Sequence, residues 1–268
     1  MSKGFAWFCQ NNKDVDYVPL SIALAKSIKK HNKTNKICVI TDSASCFSSE
    51  YVDVVKVLAQ DDAEDHNKKF ANEYKIFNIT PFTHTVKLEA DMLWNANTDW
   101  WWHYLCQHDL VFAVDCLDNK ETVVKDKTYR PYHYANLLPN VYNGMTYFRK
   151  SSYAKIFFDI CGSIVLNWKT VKEQLLKHCF DEEPSTDIVY ALAYRLLDPL
   201  REHVIDYSWF KFVHNKPSIH QTRYHYDPMN YYYPVRSEHC VYFGGRRLTA
   251  PLHYYDKKFL EVLNARVF

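Results

Sequence analysis

The first third of the chain alternates short apolar runs with segments of helical period, and this alternation narrows the fold more than any other feature. Residues 5–9 form an apolar run that ends in Gln10, Asn11 and Asn12. Asp16 can cap a helix with Pro19 in its first turn and Leu20, Leu24 and Ile28 at helical spacing. Further strands are predicted at 37–40, closed by Thr41-Asp42, at 52–58, and at 86–88, with a helix over 70–77 before the last of these. Strands continue at 111–114 and 145–148, separated by a polar, Pro-containing loop or lid over 119–140. Ser151 or Ser152 can cap a helix with Ile156, Ile160 and Ile164 on one face. Residues 184–187 open another, with Val189, Leu192 and Leu196 turned inward. The order predicts an α/β fold: a mixed, mainly parallel, Rossmann-like central sheet with helices on both faces. Nothing demands a linker, so 1–268 reads as a single domain, with a nucleotide-binding half (1–115) and an acceptor half (116–268). Ligands of such sheets sit at the carboxyl ends of the strands.

Composition removes several classes. With 5 Gly in 268 residues and no Gly-rich phosphate motif, Walker and dinucleotide-binding loops are excluded. A net charge of +2 confines any nucleic-acid surface to a local patch. The 8 Cys form no CxxC pair, and Cys38 and Cys161 sit in apolar patterns; they read as small buried residues of a reducing compartment. No signal peptide and no bilayer-length apolar run is seen, so a cytoplasmic protein without a membrane anchor is expected.

The sharpest chemical signal is Lys87-Leu88-Glu89-Ala90-Asp91-Met92-Leu93. Two carboxylates at a strand exit can share one hard cation, which would offset charge on a departing diphosphate. Acid-x-acid triplets are also common at solvated strand ends, so spacing alone favours the plainer account.

In context, the segment resembles the metal-binding Asp-x-Asp strand end of the glycogenin-like (family 8-like) nucleotide-sugar transferases of the GT-A fold, with Glu89 in place of the first Asp. The resemblance follows the chain order through residues 5–258. It implies that Phe8, Cys9, Gln10, Asn11, Tyr17 and Asp42 hold the nucleoside, and that Lys75 reaches phosphate or sugar. Asn143-Gly144, read as a turn before a strand, would contact the sugar, and Asp187 would lie near the reacting carbon. His253 would complete a metal shell with Asp91 and Glu89, with Lys257 or Lys258 gripping phosphate. Asp91, Asn143 and Asp187 thus become the catalytic expectations, Mn2+ or Mg2+ the metal, a UDP-sugar the donor, and retention the stereochemical outcome. Asp115, after the strand at 111–114, is a second carboxylate candidate for sugar contact, with an ordinary strand-end acid the slightly preferred account.

The acceptor is less constrained. Lys211, Lys216, Arg223, Arg236, Arg246 and Arg247 interleave with Tyr224, Tyr226, Tyr231, Tyr232, Tyr233 and Tyr242 over 211–250. Such a mixture suits bases and phosphates, or sugars, or an aromatic core. The compact chain also looks like small sugar transferases of large tailed phages, which implies hydroxymethylated pyrimidine in DNA as one acceptor, in host cytoplasm, and a glycan as the other. Two rivals are a catalytically inactive GT-A domain that binds nucleotide or nucleic acid, and a nucleotidyltransferase. The latter usually carries a Gly-rich loop where this chain has Gln10-Asn11-Asn12-Lys13.

Overall fold

The computed structural model describes residues 2–64, 66, 69–199, 205–216, 219, 232–235, 240–243 and 246–257. Strands β1 (Lys3–Cys9), β2 (Lys36–Thr41), β3 (Val54–Val57) and β4 (His84–Leu88) form the parallel part of the main sheet. After the short β5 (Met92–Leu93), β6 (Leu110–Ala113) and β7 (Tyr142–Arg149) complete it. The order is β3-β2-β1-β4-β7-β6, with β7 antiparallel to both neighbours. The molecule is therefore a single α/β domain on a mixed, mainly parallel sheet, as the alternation of apolar runs implies.

Both faces are covered, which is why the strands read as continuous apolar runs rather than alternating ones. Phe5, Trp7 and Cys9 of β1 point to one core; Ala6 and Phe8 point to the other. The first face carries α1 (Val18–His31) and α3 (Trp101–Leu105). The second carries a 3-10 turn (Lys69–Lys75) running into α2 (Ile76–Ile79), then, after α4 (Pro131–Ala135), the helices α5 (Ser152–Leu166), α6 (Trp168–Leu175) and α7 (Thr186–Leu197). The remaining strands are β8 (Val213–Asn215), β9 (Tyr232–Val235), β10 (Cys240–Phe243), β11 (Arg246–Arg247) and β12 (Leu252–Tyr254). They form two small sheets, β11-β10-β9 and β5-β12-β8. No helix among the described residues is long and apolar enough to cross a membrane.

Several local expectations need correction. Asp16 stands outside α1 and accepts the Val18 N–H at 3.0 Å, while Tyr17 occupies the cap position. The 70–77 helix is mostly 3-10. The loop over 119–140 contains α4. Ser151 does cap α5, accepting the Ala154 N–H; Ile164 is buried and Ile160 partly so, as expected, but Ile156 is half exposed and the rest of the buried face is Ala154, Phe157, Phe158 and Cys161. Leu196 likewise faces out, while Val189 and Leu192 are buried. Asn143-Gly144 is no turn: both residues lie within β7, because Leu88 of β4 still pairs with Met145. On the other side the register jumps from Phe112–Thr146 to Ala113–Tyr142, so Asn143 and Gly144 sit in a bulge.

Candidate metal centre

β4 ends at Leu88, and the turn that follows carries Glu89, Ala90 and Asp91 before β5 begins. β12 runs antiparallel to β5 with His253 opposite Met92, and the Tyr254 N–H bonds the Asp91 carbonyl at 3.2 Å. This pairing delivers His253 to the carboxylates: its Nε2 lies 3.2 Å from Glu89 Oε2 and 3.3 Å from Asp91 Oδ1. One ligand atom from each of Glu89, Asp91 and His253 falls within 4.8 Å of the others, so the three could hold a metal ion. Two carboxylate oxygens and one imidazole nitrogen form a donor set able to hold a divalent cation. The other ring nitrogen, Nδ1, is buried and has no hydrogen-bond partner among the described residues.

The electrostatics are those of an anionic site balanced by protein cations. Burial would lower the His253 ring, but Asp91 and Glu89 outweigh it and hold the ring above its ordinary value. Burial would raise the Asp91 carboxyl; His253 and Lys257 override it and keep it far below the carboxylate range. Lys257 Nζ is ion-paired with Asp91 Oδ2. His214 on β8 packs beside His253, the rings tilted by 34° with centroids 4.7 Å apart, and burial holds it well below its ordinary value.

Behind this cluster runs a buried polar chain. Lys87, with no exposed surface, lies 2.7 Å from Glu73 and donates to Asn143 Oδ1 at 2.7 Å. Asn143 Nδ2 then donates to Glu89 Oε1 at 2.9 Å. The Asn143 N–H donates to Asp187 Oδ1 at 2.8 Å, and Arg130 lies 3.2 Å from Asp187 Oδ2. Burial works to raise the Asp187 carboxyl, but Arg130, His133 and that N–H keep it below its usual range. The bulge at Gly144 is close-fitting, since a Cβ there would meet Glu89 Oε2 and Phe212 at 3.3 Å each.

The cluster opens into a cleft of about 300 Å³. Phe8, Gln10, Tyr17, Glu89, Asp91, Gly144, Asp187, His253 and Lys257 all line it, so most residues singled out in the sequence are brought together. Others are not. Lys75 is bound to Asp62 at 2.8 Å and to the Gln60 carbonyl, and does not line the cleft. The Cys9 thiol is buried in the core beneath α1, and that burial pushes it up to about 12. Asn11 and Asp42 brace the loops instead: Asn11 Oδ1 accepts the Tyr17 N–H, and Asp42 accepts from Ser45 N–H and Gln10. Asp115 is held by Lys127, Asn140 and Lys211. Lys258 and much of 211–250, including Arg223, Arg236, Tyr224, Tyr226 and Tyr231, lie outside the described residues.

The sequence reading missed Lys69, Glu73, Phe212 and His214, which line the cleft, and Lys87 and Arg130 behind it; Lys216, read as part of the acceptor surface, also lines the cleft. Lys87 had a usable signal, a lone cation inside the apolar run Val86-Lys87-Leu88. In comparisons with known proteins, no family model and no curated protein matches this chain.

Proposed function

We propose that this chain is a metal-dependent glycosyltransferase of GT-A type that moves a sugar from a nucleotide-diphosphate donor, above all a UDP-sugar, to a hydroxyl acceptor. The observation that carries the reading is the Glu89–Asp91–His253 cluster on the floor of a ligand-sized cleft at the carboxyl end of β4. A bound Mn2+ or Mg2+ would supply charge neutralisation at the departing diphosphate. Lys257, Lys216 and Lys69, which line the same cleft, add fixed positive charge for phosphate oxygens. Phe8, Gln10 and Tyr17 offer two rings and an amide to the nucleoside.

Asp187 has one oxygen on the Asn143 N–H and the other beside Arg130, and its carboxyl is held low. Such a carboxylate is a weak proton acceptor and a good anchor for sugar hydroxyls. This favours a positioning role, with retention of configuration, over general-base inversion. The acceptor in this reading is a glycan. Lys211, one cation of the suggested DNA surface, is buried and 2.6 Å from Asp206. The exposed Arg246 and Arg247 on β11 keep DNA as a second reading.

The test is donor hydrolysis with manganese over a panel of UDP- and GDP-sugars, comparing the wild type with Asp91→Asn. Metal-dependent release of a nucleoside diphosphate, lost in the variant, is expected. Absence of both turnover and metal-dependent nucleotide binding would overturn the reading, and pyrophosphate release from a triphosphate would replace it with nucleotidyl transfer.

A further inference from the structure

Away from the cleft, four aromatic side chains share one surface. Trp100 and Tyr104 are 47% and 42% exposed, and Tyr207 and Trp209 are half-buried. Trp209 is the hub. Its ring lies 4.9 Å from Trp100, 5.8 Å from Tyr104 and 4.5 Å from Tyr207, the last nearly parallel at 22°. The platform is rigidly backed. Trp101, buried, lies 5.3 Å behind Trp209, and the Tyr207 hydroxyl is bonded to His108 Nε2 at 2.8 Å. Rings already fixed lose little freedom when a ligand stacks on them.

Charge decides what suits them. A nucleic acid needs cations beside the stacking faces. Here the neighbours in sequence are Asp99 and Asp206, with the polar His103, Gln107 and Ser208 exposed. Nearby cations are committed: Lys211 to Asp206, and Arg149 to Asp109 at 2.7 Å. Lys3 lies over the ring of buried Trp102 rather than over the platform. Area argues against a second copy of the chain. At their fractional exposure, Trp100 and Tyr104 offer roughly 200 Å², well short of the about 800 Å² per partner in a stable interface. Among the described residues 97–108 and 205–210, no exposed aliphatic side chain extends the patch. An aromatic face neighboured by the exposed imidazole, amide and hydroxyl of His103, Gln107 and Ser208 matches a sugar ring, whose C–H face stacks while its hydroxyls donate and accept at the rim.

We infer that Trp100, Tyr104, Tyr207 and Trp209 form a binding platform for a neutral oligosaccharide. The platform lies toward the amino end of the main sheet: the Tyr207 hydroxyl bonds His108, two residues before β6, and Leu110 is level with Thr85 near the start of β4, whereas the cleft is at the carboxyl end of β4. The binding stands independently of the transferase reading.

The experiment presents the whole protein to an array of neutral oligosaccharides: α- and β-linked glucans, galactans, mannans and N-acetylhexosamine oligomers. Any positive is then titrated by calorimetry. The wild type is expected to bind at least one series. Trp100→Ala and Tyr104→Ala, both at exposed positions, are expected to weaken it at least about tenfold while leaving donor hydrolysis unchanged. Asp91→Asn should bind the glycan as the wild type does, so loss of the transferase reading would leave this result standing. No binding across the array, or binding indifferent to both aromatic substitutions, would overturn the platform. So would a loss of dimer mass in light scattering or of DNA affinity on the same substitutions, each of which would assign the rings to another partner.

Discussion

A lysine with no exposed surface must have its own anion, and Lys87 has Glu73 together with the amide oxygen of Asn143. By holding that oxygen it turns the Asn143 NH2 toward Glu89, and so fixes the carboxylate that faces His253. Lys87→Met is therefore expected to lower Mn2+ affinity by about tenfold or more in calorimetry, the usual cost of losing a support behind a ligand. It should also cost about 3 kcal/mol in stability, because Glu73 is left buried without its cation. Adding Glu73→Gln should recover much of the stability and none of the metal affinity; recovery of both would make Lys87 a merely structural cation. Gly144→Ala should weaken Mn2+ binding with little change in melting temperature, since its Cβ would crowd Glu89 Oε2. Glu89, Asp91 and His253 were legible because acid-x-acid at a strand exit and a late histidine have few other readings together. Lys87 was legible only in combination: a lone cation in the apolar run Val86-Lys87-Leu88 reads as buried once the sheet is taken as covered on both faces. Lys75 failed for the complementary reason: Asp62, which claims it, stands in a segment without periodicity.

Strands were easier to place than the faces of helices. β1, β2 and β4 are buried on both sides, so an apolar run locates them without any need to choose a side. α5 is apolar nearly all round, and its sequence supports two stripes. Of the isoleucine stripe Ile164 and, in part, Ile160 turn inward, while Ile156 gives way to Phe157 and Phe158, which meet the 3-10 turn and α7. Asn143-Gly144 misled for a related reason: its local preference is for a turn, but the flanking pairs Leu88–Met145 and Ala113–Tyr142 keep it in β7 as a bulge. Contact between α5 and the 3-10 turn is tight at Gly162, where a Cβ would lie 2.8 Å from the Tyr74 ring. Gly162→Ala would gain roughly 1 kcal/mol of helix propensity but overpack by about 1–3 kcal/mol. A net loss is expected in urea unfolding, together with loosening of the Tyr74–Asp62 hydrogen bond. A stabilised variant would show that the 3-10 turn yields freely.

Stability of the molecule as a whole should fall in mild acid. His133 is buried beside Arg130, and burial with that charge lowers its ring to about 4. His214 is also held well below its ordinary value, by burial and by His253. Unfolded histidine takes its proton near pH 6.5, so below that the unfolded chain binds protons the folded chain refuses. Stability then falls with pH until the folded value is reached. His133 alone is worth about 2 kcal/mol between pH 7 and pH 5. Urea midpoints at the two pH values check this, and His133→Asn should flatten the slope. The other molecular consequence concerns order in time. Lys257 and Asp91 meet across 166 residues of chain, and β12, which brings His253, is last of the described strands. At ordinary synthesis rates, roughly 10 to 30 s pass between the emergence of the carboxylates and that of their partners. Through that interval the growing polypeptide carries two adjacent acids with neither imidazole nor ammonium to balance them. A nascent chain on the ribosome can thus fold its early strands while remaining unable to assemble the centre until residues 253–257 have emerged.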